Sequence, residues 1–175
     1  MEFEVLHNSN AIGVVRISIH SWNNPQCWLF RQEGSVPFYL SQIPFRPEGN
    51  FVILDLIEIR SALRKRGLGT LAMKGLIPFL GSFGAKVAFL RGGNSPLTQE
   101  KLVEWYSGLG WNLLQTYQVP GQQWPCTVDI MWRSLADLPP PVDEIRFSAV
   151  SEVSIFGKLS HGVERATTSS SEASS

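Results

Sequence analysis

The segment FVILDLIEIRSALRKRGLGT, residues 51–70, decides the fold of this 175-residue chain. Its first part, Phe51 to Ile59, is apolar and rich in β-branched side chains, so it predicts a strand. Downstream of a basic turn, apolar residues recur at near-helical spacing. These residues are Leu68, Leu71, Ala72, Leu76 and Phe79. The segment therefore predicts a strand, a basic turn with two glycines and a helix in direct succession.

The turn between strand and helix predicts a phosphate-binding site. The first N–H groups of a helix have no partner inside the helix, and the helix dipole favours an anion in front of them. Gly67 and Gly69 lack the Cβ atoms that would hold a phosphate away from the backbone. The turn fits neither the G-x-x-x-x-G-K-[ST] pattern nor G-x-G-x-x-G. We therefore expect another phosphate ligand, most simply a pyrophosphate.

Two motifs of the chain resemble one protein family. Arg64-x-x-Gly67-x-Gly69 fits R/Q-x-x-G-x-G/A and resembles the coenzyme A pyrophosphate loop of the GNAT superfamily of acyl-CoA-dependent N-acyltransferases. The segment WYSGLGW, residues 105–111, resembles the family's F-Y-x-x-x-G-F segment, with Trp at both Phe positions. A short strand predicted from Lys86 to Leu90 lies between them. The family's order of strand, turn, helix, strand, helix, strand and strand is then preserved from Phe51 to about Trp132.

The resemblance implies an α/β fold with a mixed, mostly antiparallel central sheet flanked by helices. The family usually places two helices between its first and second strands, and the stretch from Asn8 to Val14 is too short to contain them. We therefore expect reduced N-terminal helices and an open acceptor side. The stretch from Trp22 to Pro47, rich in Trp, Phe and Pro, is an alternative source of a wall for that side.

The resemblance also implies acetyl-CoA as cosubstrate. Its pyrophosphate is expected on the backbone N–H groups of Lys65, Arg66, Gly67, Leu68, Gly69 and Thr70, with charge added by Arg64 and Arg66. Its pantetheine amides are expected to pair with backbone groups of Ile57, Glu58 and Ile59 as an added strand would. At the family's usual Asn position, seven residues before the motif tyrosine, this chain has Gln99, and Asn94 lies close enough to substitute.

Three residues are candidates for acid–base chemistry. Tyr106 matches the family tyrosine that faces the coenzyme sulfur, and a phenol is a suitable acid for a departing thiolate; the alternative is a core tyrosine. Asp55 and Glu58 are the acids on the strand before the turn, and strand alternation places them on opposite faces. Asp55 is the preferred base, because many family members carry an acid at the position that it occupies, counted back from Ile59. An acid within so apolar a strand is also costly unless paired or functional, which argues for a role without saying which one. Either acid is alternatively an exposed side chain or a partner of Arg60.

Composition narrows the functional class. The chain has 15 Lys and Arg and 15 Asp and Glu residues, and this zero net charge argues against a broad nucleic-acid-binding surface. Its two cysteines, Cys27 and Cys126, form no C-x-x-C pair, so we expect neither a disulfide framework nor a metal site. The N-terminus lacks a signal pattern and no apolar run is long enough to span a bilayer. We expect a soluble, cytoplasmic protein.

Pro139-Pro140-Pro141 predicts a boundary, because a proline run cannot continue a sheet. Residues 1–138 are expected to form a GNAT-like domain and 139–175 a C-terminal extension, so that truncation after Pro141 leaves a folded domain. Residues 144–150 and 153–159 are candidates for short strands or for docking on the domain. The serine-rich end, residues 167–175, is expected to be disordered.

The remaining elements follow from local patterns. Strands are expected at 2–6, 14–19, 27–30, 38–40, 111–119 and 126–132. The helix after the glycine turn is expected to end or kink near Pro78. A second helix is expected to begin at Ser95-Pro96 or at Thr98 and to stop at Gly110.

The favoured activity is N-acyl transfer, most simply acetyl, from acetyl-CoA to an amine by direct attack in a ternary complex. The acceptor is a small amine, a peptide or a protein, and the sequence does not select among them. Two alternatives remain open: a non-catalytic coenzyme-binding or interaction module of the same fold, and a nucleic-acid-modifying enzyme of that fold. The oligomeric state is also open.

Overall fold

The computed structural model describes residues 1–23, 43–45, 48–92, 96–119 and 126–150, without the side chains of 96–101, 117–119 and 126–127. The strands are β1 (Glu2–His7), β2 (Asn10–Ser21), β3 (Asn50–Ile59), β4 (Val87–Arg91), β5 (Asn112–Val119), β6 (Cys126–Ser134) and β7 (Ile145–Ala149). The helices are α1 (Leu68–Gly81) and α2 (Pro96–Gly108), and a short 3₁₀ turn spans Ser61–Leu63. The strands predicted at 27–30, 38–40 and 153–159 and the predicted disordered tail lie outside the described residues.

The described strands form one open, seven-stranded sheet in the order β5-β6-β4-β3-β2-β1-β7. β3 and β4 pair in parallel, and every other neighbouring pair is antiparallel. A parallel pair needs a crossover connection, which here contains the glycine turn and α1. The predicted mixed, mostly antiparallel sheet is thus confirmed.

A two-residue turn joins β1 to β2. Asn8 and Ser9 have φ values of 49° and 67°, and two residues with positive φ are typical of the tight hairpin turns that match strand twist. The predicted absence of helices between these strands is confirmed, because β1 ends at His7 and β2 begins at Asn10.

Helix α1 continues past its proline. Pro78 lies inside the helix, which ends three residues later at Gly81, near the proline as predicted. A proline removes one N–H donor, but the last turn keeps others, because the Ser82 N–H donates to the carbonyl oxygens of Pro78 and Phe79. The helix buries a face on the sheet made of Ala72, Met73, Gly75, Leu76, Ile77 and Leu80.

The two faces of the sheet differ. Both helices pack on one face, here called the helix face, where strand residues such as Val15, Ile17, Val52 and Leu54 join the main core. The opposite face carries an aromatic cluster. Its members are Phe51, Ile53, Val87, Phe89 and Ile130, packed against Trp22, Phe45, Leu114 and Trp132. Trp22 and Phe45 are the described aromatic residues of the stretch predicted as a wall.

Strand β7 brings part of the predicted C-terminal extension into the sheet. It pairs antiparallel with β1, from Phe3–Ala149 to His7–Ile145. The Phe147 ring stacks on Phe79 of α1 at a centroid distance of 4.5 Å. The predicted boundary after residue 138 therefore does not separate residues 145–149 from the sheet. No helix in the described part of the chain is long and apolar enough to cross a membrane.

Candidate functional site

A gap opens between β3 and β4 at one end of the sheet. The two strands pair from Phe51–Val87 to Leu54–Leu90. β4 ends one residue later, at Arg91, whereas β3 continues to Ile59. Residues 55–59 of β3 therefore extend beyond β4, directly before the glycine turn.

Two residues of β3 direct their backbone groups into this gap. The Arg60 N–H donates to the Ile12 carbonyl of β2 at 2.9 Å. Because backbone groups point to alternate sides along a strand, those of Ile59 and Ile57 point away from β2, toward the gap. The carbonyl of Glu58 points at β2, where a Cβ atom on Gly13 would overlap it. Of the three residues predicted to pair with pantetheine, Ile57 and Ile59 are thus oriented for it and Glu58 is not.

A β-bulge lies where the gap begins. The pairing of β2 with β3 changes from Ile17–Leu54 to Arg16–Leu56, so Asp55 is the extra residue. A bulge shifts the alternation of side chains by one position. Accordingly, Leu54 packs on the helix face and so does Ile57, three residues later.

The bulge interrupts the alternation of side chains between the two candidate acids. Glu58 lies between Ile57 and Ile59, which pack on the helix face, so its side chain points to the opposite face. The Asp55 carboxylate acts on His20, whose ring stacks on Phe51 of that same opposite face. The alternation from which opposite faces were predicted does not hold here, because Asp55 is the extra residue of the bulge. Asp55 is also exposed rather than enclosed in the core.

His20 is a candidate that no sequence motif marked. Its ring stacks on Phe51 at a centroid distance of 5.4 Å. Partial burial lowers the pKa of His20 below its usual value, and the nearby Asp55 carboxylate opposes that shift. Because the net shift is downward, the imidazole is mainly neutral at pH 7 and is able to accept a proton.

Glu58 and Arg64 form an ion pair beside the turn. Arg64 Nη2 lies 3.0 Å from Glu58 Oε1, and Arg64 Nε donates to the Ile59 carbonyl at 3.0 Å. Both side chains are more than half exposed, so the pair contributes little to stability. The pair directs the guanidinium toward β3, and the role of Arg64 as a source of charge for a phosphate stays a prediction.

The glycine turn presents open space in front of α1. Gly67 is the residue before the helix and has a φ of 77°, and no side chain caps the helix start. A Cβ atom on Gly67 would meet nothing within 4 Å, and one on Gly69 would meet only Ile59, at 3.9 Å, among the described residues. The first N–H groups of α1 thus border a space that an anion is able to enter.

The second motif fastens α2 to the start of α1. Trp105 Nε1 donates to the Thr70 hydroxyl oxygen at 3.0 Å. The Tyr106 side chain is 8% exposed, and its ring lies between Trp105 and Trp111, at centroid distances of 4.8 and 6.4 Å. Burial raises the pKa of Tyr106 above its usual value, so the phenol keeps its proton at neutral pH. Gly110, with a φ of 82°, ends this region.

Two predicted contacts involve side chains outside the described part of the chain, and the structure contains one buried acid that no sequence motif marked. Asn94 lies outside the described residues, and Gln99 belongs to α2 but its side chain is not described. Asp129 of β6 is buried, and its Oδ1 accepts a 2.5 Å hydrogen bond from the Thr116 hydroxyl. Its carbonyl accepts the Gly92 N–H just beyond β4. A lone acid within an apolar strand was the available signal.

Comparison with known proteins supports the fold. No protein-family profile and no curated protein sequence matches the chain. Among solved structures, it is similar to Arabidopsis thaliana NAA60 in complex with acetyl-CoA, with a TM-score of 0.51, 12% identity and coverage of 75% of this chain and 74% of that one. It is also similar to the ribosomal-protein-S18-alanine N-acetyltransferase of Escherichia coli, with a TM-score of 0.50, 14% identity and coverage of 81% and 73%. The chain has the GNAT fold.

A third similar structure is the NatC complex bound to Gag peptide and CoA, with a TM-score of 0.50, 9% identity and coverage of 76% of this chain and 70% of that one. The resemblance predicted from two short motifs therefore extends to the fold of the chain. At such identities the similarity concerns the fold, and the activity has to be argued from the site.

Proposed function

We propose that this protein is an N-acyltransferase, most simply an N-acetyltransferase, that moves an acetyl group from acetyl-CoA to an amine in a ternary complex. The observation that carries the proposal is the continuity of the gap with the glycine turn. One end of an elongated ligand would meet the open start of α1, and its other end would enter the space between β3 and β4.

The coenzyme would use the backbone for most of its contacts. Its pyrophosphate would accept hydrogen bonds from the N–H groups at the start of α1, beside Gly67 and Gly69. Its pantetheine would pair with Ile57 and with the N–H of Ile59, since the Ile59 carbonyl already accepts Arg64. Arg66 and Lys65 of the turn would supply positive charge for the phosphates.

The reaction needs one base and one acid. The amine attacks the thioester carbonyl carbon, the C–N bond forms, and the C–S bond breaks as the tetrahedral intermediate collapses. We propose that Tyr106 is the acid that donates a proton to the departing thiolate. Asp55 and the neutral His20, which interact electrostatically, are the candidates to accept the amine proton, directly or through water.

Substitution of Gly67 by valine should abolish binding of acetyl-CoA. The added side chain would occupy the space in front of α1 and strain a backbone with positive φ. Gly84→Val is the matched control, because Gly84 has a φ of 70° and a Cβ atom there would also meet nothing within 4 Å among the described residues. It lies just beyond the end of α1 that is farther from the glycine turn. Isothermal titration calorimetry should show near-parental affinity for the control only. Equal affinity in both variants contradicts the assignment of the turn.

An assay of thiol release over time, run beside the calorimetry, separates binding from catalysis. A non-catalytic module would bind acetyl-CoA without releasing thiol over time, whereas the proposed enzyme releases thiol in step with amine acylation. The acceptor is identified first, by mass spectrometry of a lysate incubated with the protein and labelled acetyl-CoA. Salt-sensitive retention on nucleic acid, with acyl transfer to that nucleic acid, would support the alternative of a nucleic-acid-modifying enzyme.

The two acids of β3 should differ in their effect on turnover. Glu58 is paired with Arg64, so Glu58→Gln should change kcat by less than about threefold. Asp55→Asn should lower kcat by about tenfold or more, because it removes either the base or the charge that acts on His20. Steady-state kinetics with the identified acceptor measure both values. A larger loss for Glu58→Gln would reverse the assignment.

A further inference from the structure

Apart from the gap between β3 and β4, a cavity lies on the helix face of the molecule. Its volume is about 400 Å³, within the range of small-molecule sites. It is bounded by α1, by the C-terminal end of α2 and by the proline run between β6 and β7. The lining residues that matter here are Met73, Lys74, Ile77, Leu109, Arg133 and Val142.

The proline run forms a stiff wall for this cavity. Pro139, Pro140 and Pro141 line it, and each has a fixed φ and no N–H group. A residue that precedes a proline is also held in an extended conformation. The wall is anchored at both ends, because Leu138 contacts Gly81 and Ile145 contacts Gly75 on α1. The cavity is therefore preformed and needs little ordering to receive a ligand.

The charged groups lining this cavity are both cationic. Lys74 lies at an exposed position of α1. Arg133 Nη1 donates to the Leu109 carbonyl at the end of α2, while Arg133 Nε is buried with no hydrogen-bond partner among the described residues. Among the described lining residues none is acidic. The carbonyls at the end of α2 carry partial negative charge. The Leu109 carbonyl is already compensated, because it accepts a hydrogen bond from Arg133.

We propose that this cavity binds a small apolar carboxylate. The carboxylate would pair with the partly buried guanidinium of Arg133 and the ammonium of Lys74, and the apolar body would pack on Met73, Ile77, Leu109 and Val142. Partial burial deprives the positive charge of Arg133 of part of its hydration, and a carboxylate in the cavity would compensate that charge. The site is separate from the gap between β3 and β4, so it does not depend on the proposed acyl transfer.

Octanoate is the probe ligand, and substitutions of Gly108 test whether it binds in this cavity. Gly108 lines the cavity within α2, and a Cβ atom there would meet nothing within 4 Å. Gly108→Leu should fill the cavity and lower octanoate affinity by about tenfold or more, whereas the matched Gly108→Ala should retain it. Both replacements favour the helix, so neither should lower the melting temperature. Calorimetry in which Gly108→Leu binds octanoate as the parent does would overturn the location.

The contribution of charge to octanoate binding is tested separately, on the full chain. Lys74→Glu should weaken octanoate by about fivefold, a surface electrostatic effect that falls as salt is raised. The uncharged 1-octanol should bind at least about tenfold more weakly than octanoate to the parent protein. Affinity for acetyl-CoA should stay unchanged in every one of these variants. Octanol binding as tightly as octanoate, or no octanoate binding at all, would overturn the proposal, whatever the result with acetyl-CoA.

Discussion

Tyr106→Phe is expected to lower turnover by about a hundredfold or more and to leave acetyl-CoA affinity near that of the parent. Only the transition state gains from a proton delivered to the departing thiolate, so binding of the ground state is unaffected. The Phe ring keeps the contacts that Tyr106 makes with Trp105 and Trp111. The melting temperature should therefore change little, which separates a chemical role from a structural one.

The pH dependence of kcat is a second test of the role of Tyr106 as the acid. Burial raises the pKa of Tyr106 above 10, so its acid form persists through neutral pH and is lost only as pH rises through that higher value. The parent enzyme should thus lose kcat on the alkaline side, and the Phe variant should lack that limb. If the variant turns over as the parent does when chemistry limits the rate, solvent or another group protonates the thiolate.

Truncation after Pro141 is expected to abolish cooperative folding, contrary to the expectation from composition alone. It removes β7 and with it Ile145, which is 7% exposed, and the stack of Phe147 on Phe79. Loss of one large buried side chain costs about 2–5 kcal/mol, against a total stability of roughly 5–15 kcal/mol for a domain. The edge of β1 and one side of α1 would also be uncovered.

Truncation after Val150 is the matched control, because it keeps the whole of β7. Thermal melts followed by circular dichroism should show a single cooperative transition for the control and none for the shorter chain. Ile145→Ala in the full chain should lie between them, with a lower melting temperature. A cooperative melt of the shorter chain at the parental temperature would show that residues 142–150 are dispensable.

Local sequence signals were sufficient for much of the architecture. The apolar run at 51–59, the glycines of the turn and the helical spacing from Leu68 placed β3 and α1 within a few residues. The same holds for α2 and for the β5–β6 pair, whose bounds follow from Pro96, Gly110 and alternating residues. These features depend on neighbours in sequence, namely capping, turn geometry and periodicity, so the chain determines them without reference to its distant parts.

Tertiary structure alone decided the arrangement of the site. The bulge at Asp55 arises from the register of β3 against β2, and it interrupts the alternation from which the two acids were expected on opposite faces. Pairing of β2 with β3 also brought His20 near Asp55, and β7 joined the sheet across more than 130 residues of chain. The ion pair of Glu58 with Arg64 and the cavity beside Arg133 likewise depend on packing. Register and packing are set by long-range contacts whose free energy no local pattern encodes, and for that reason the sequence by itself determined the elements while only the folded chain decided which side chains meet.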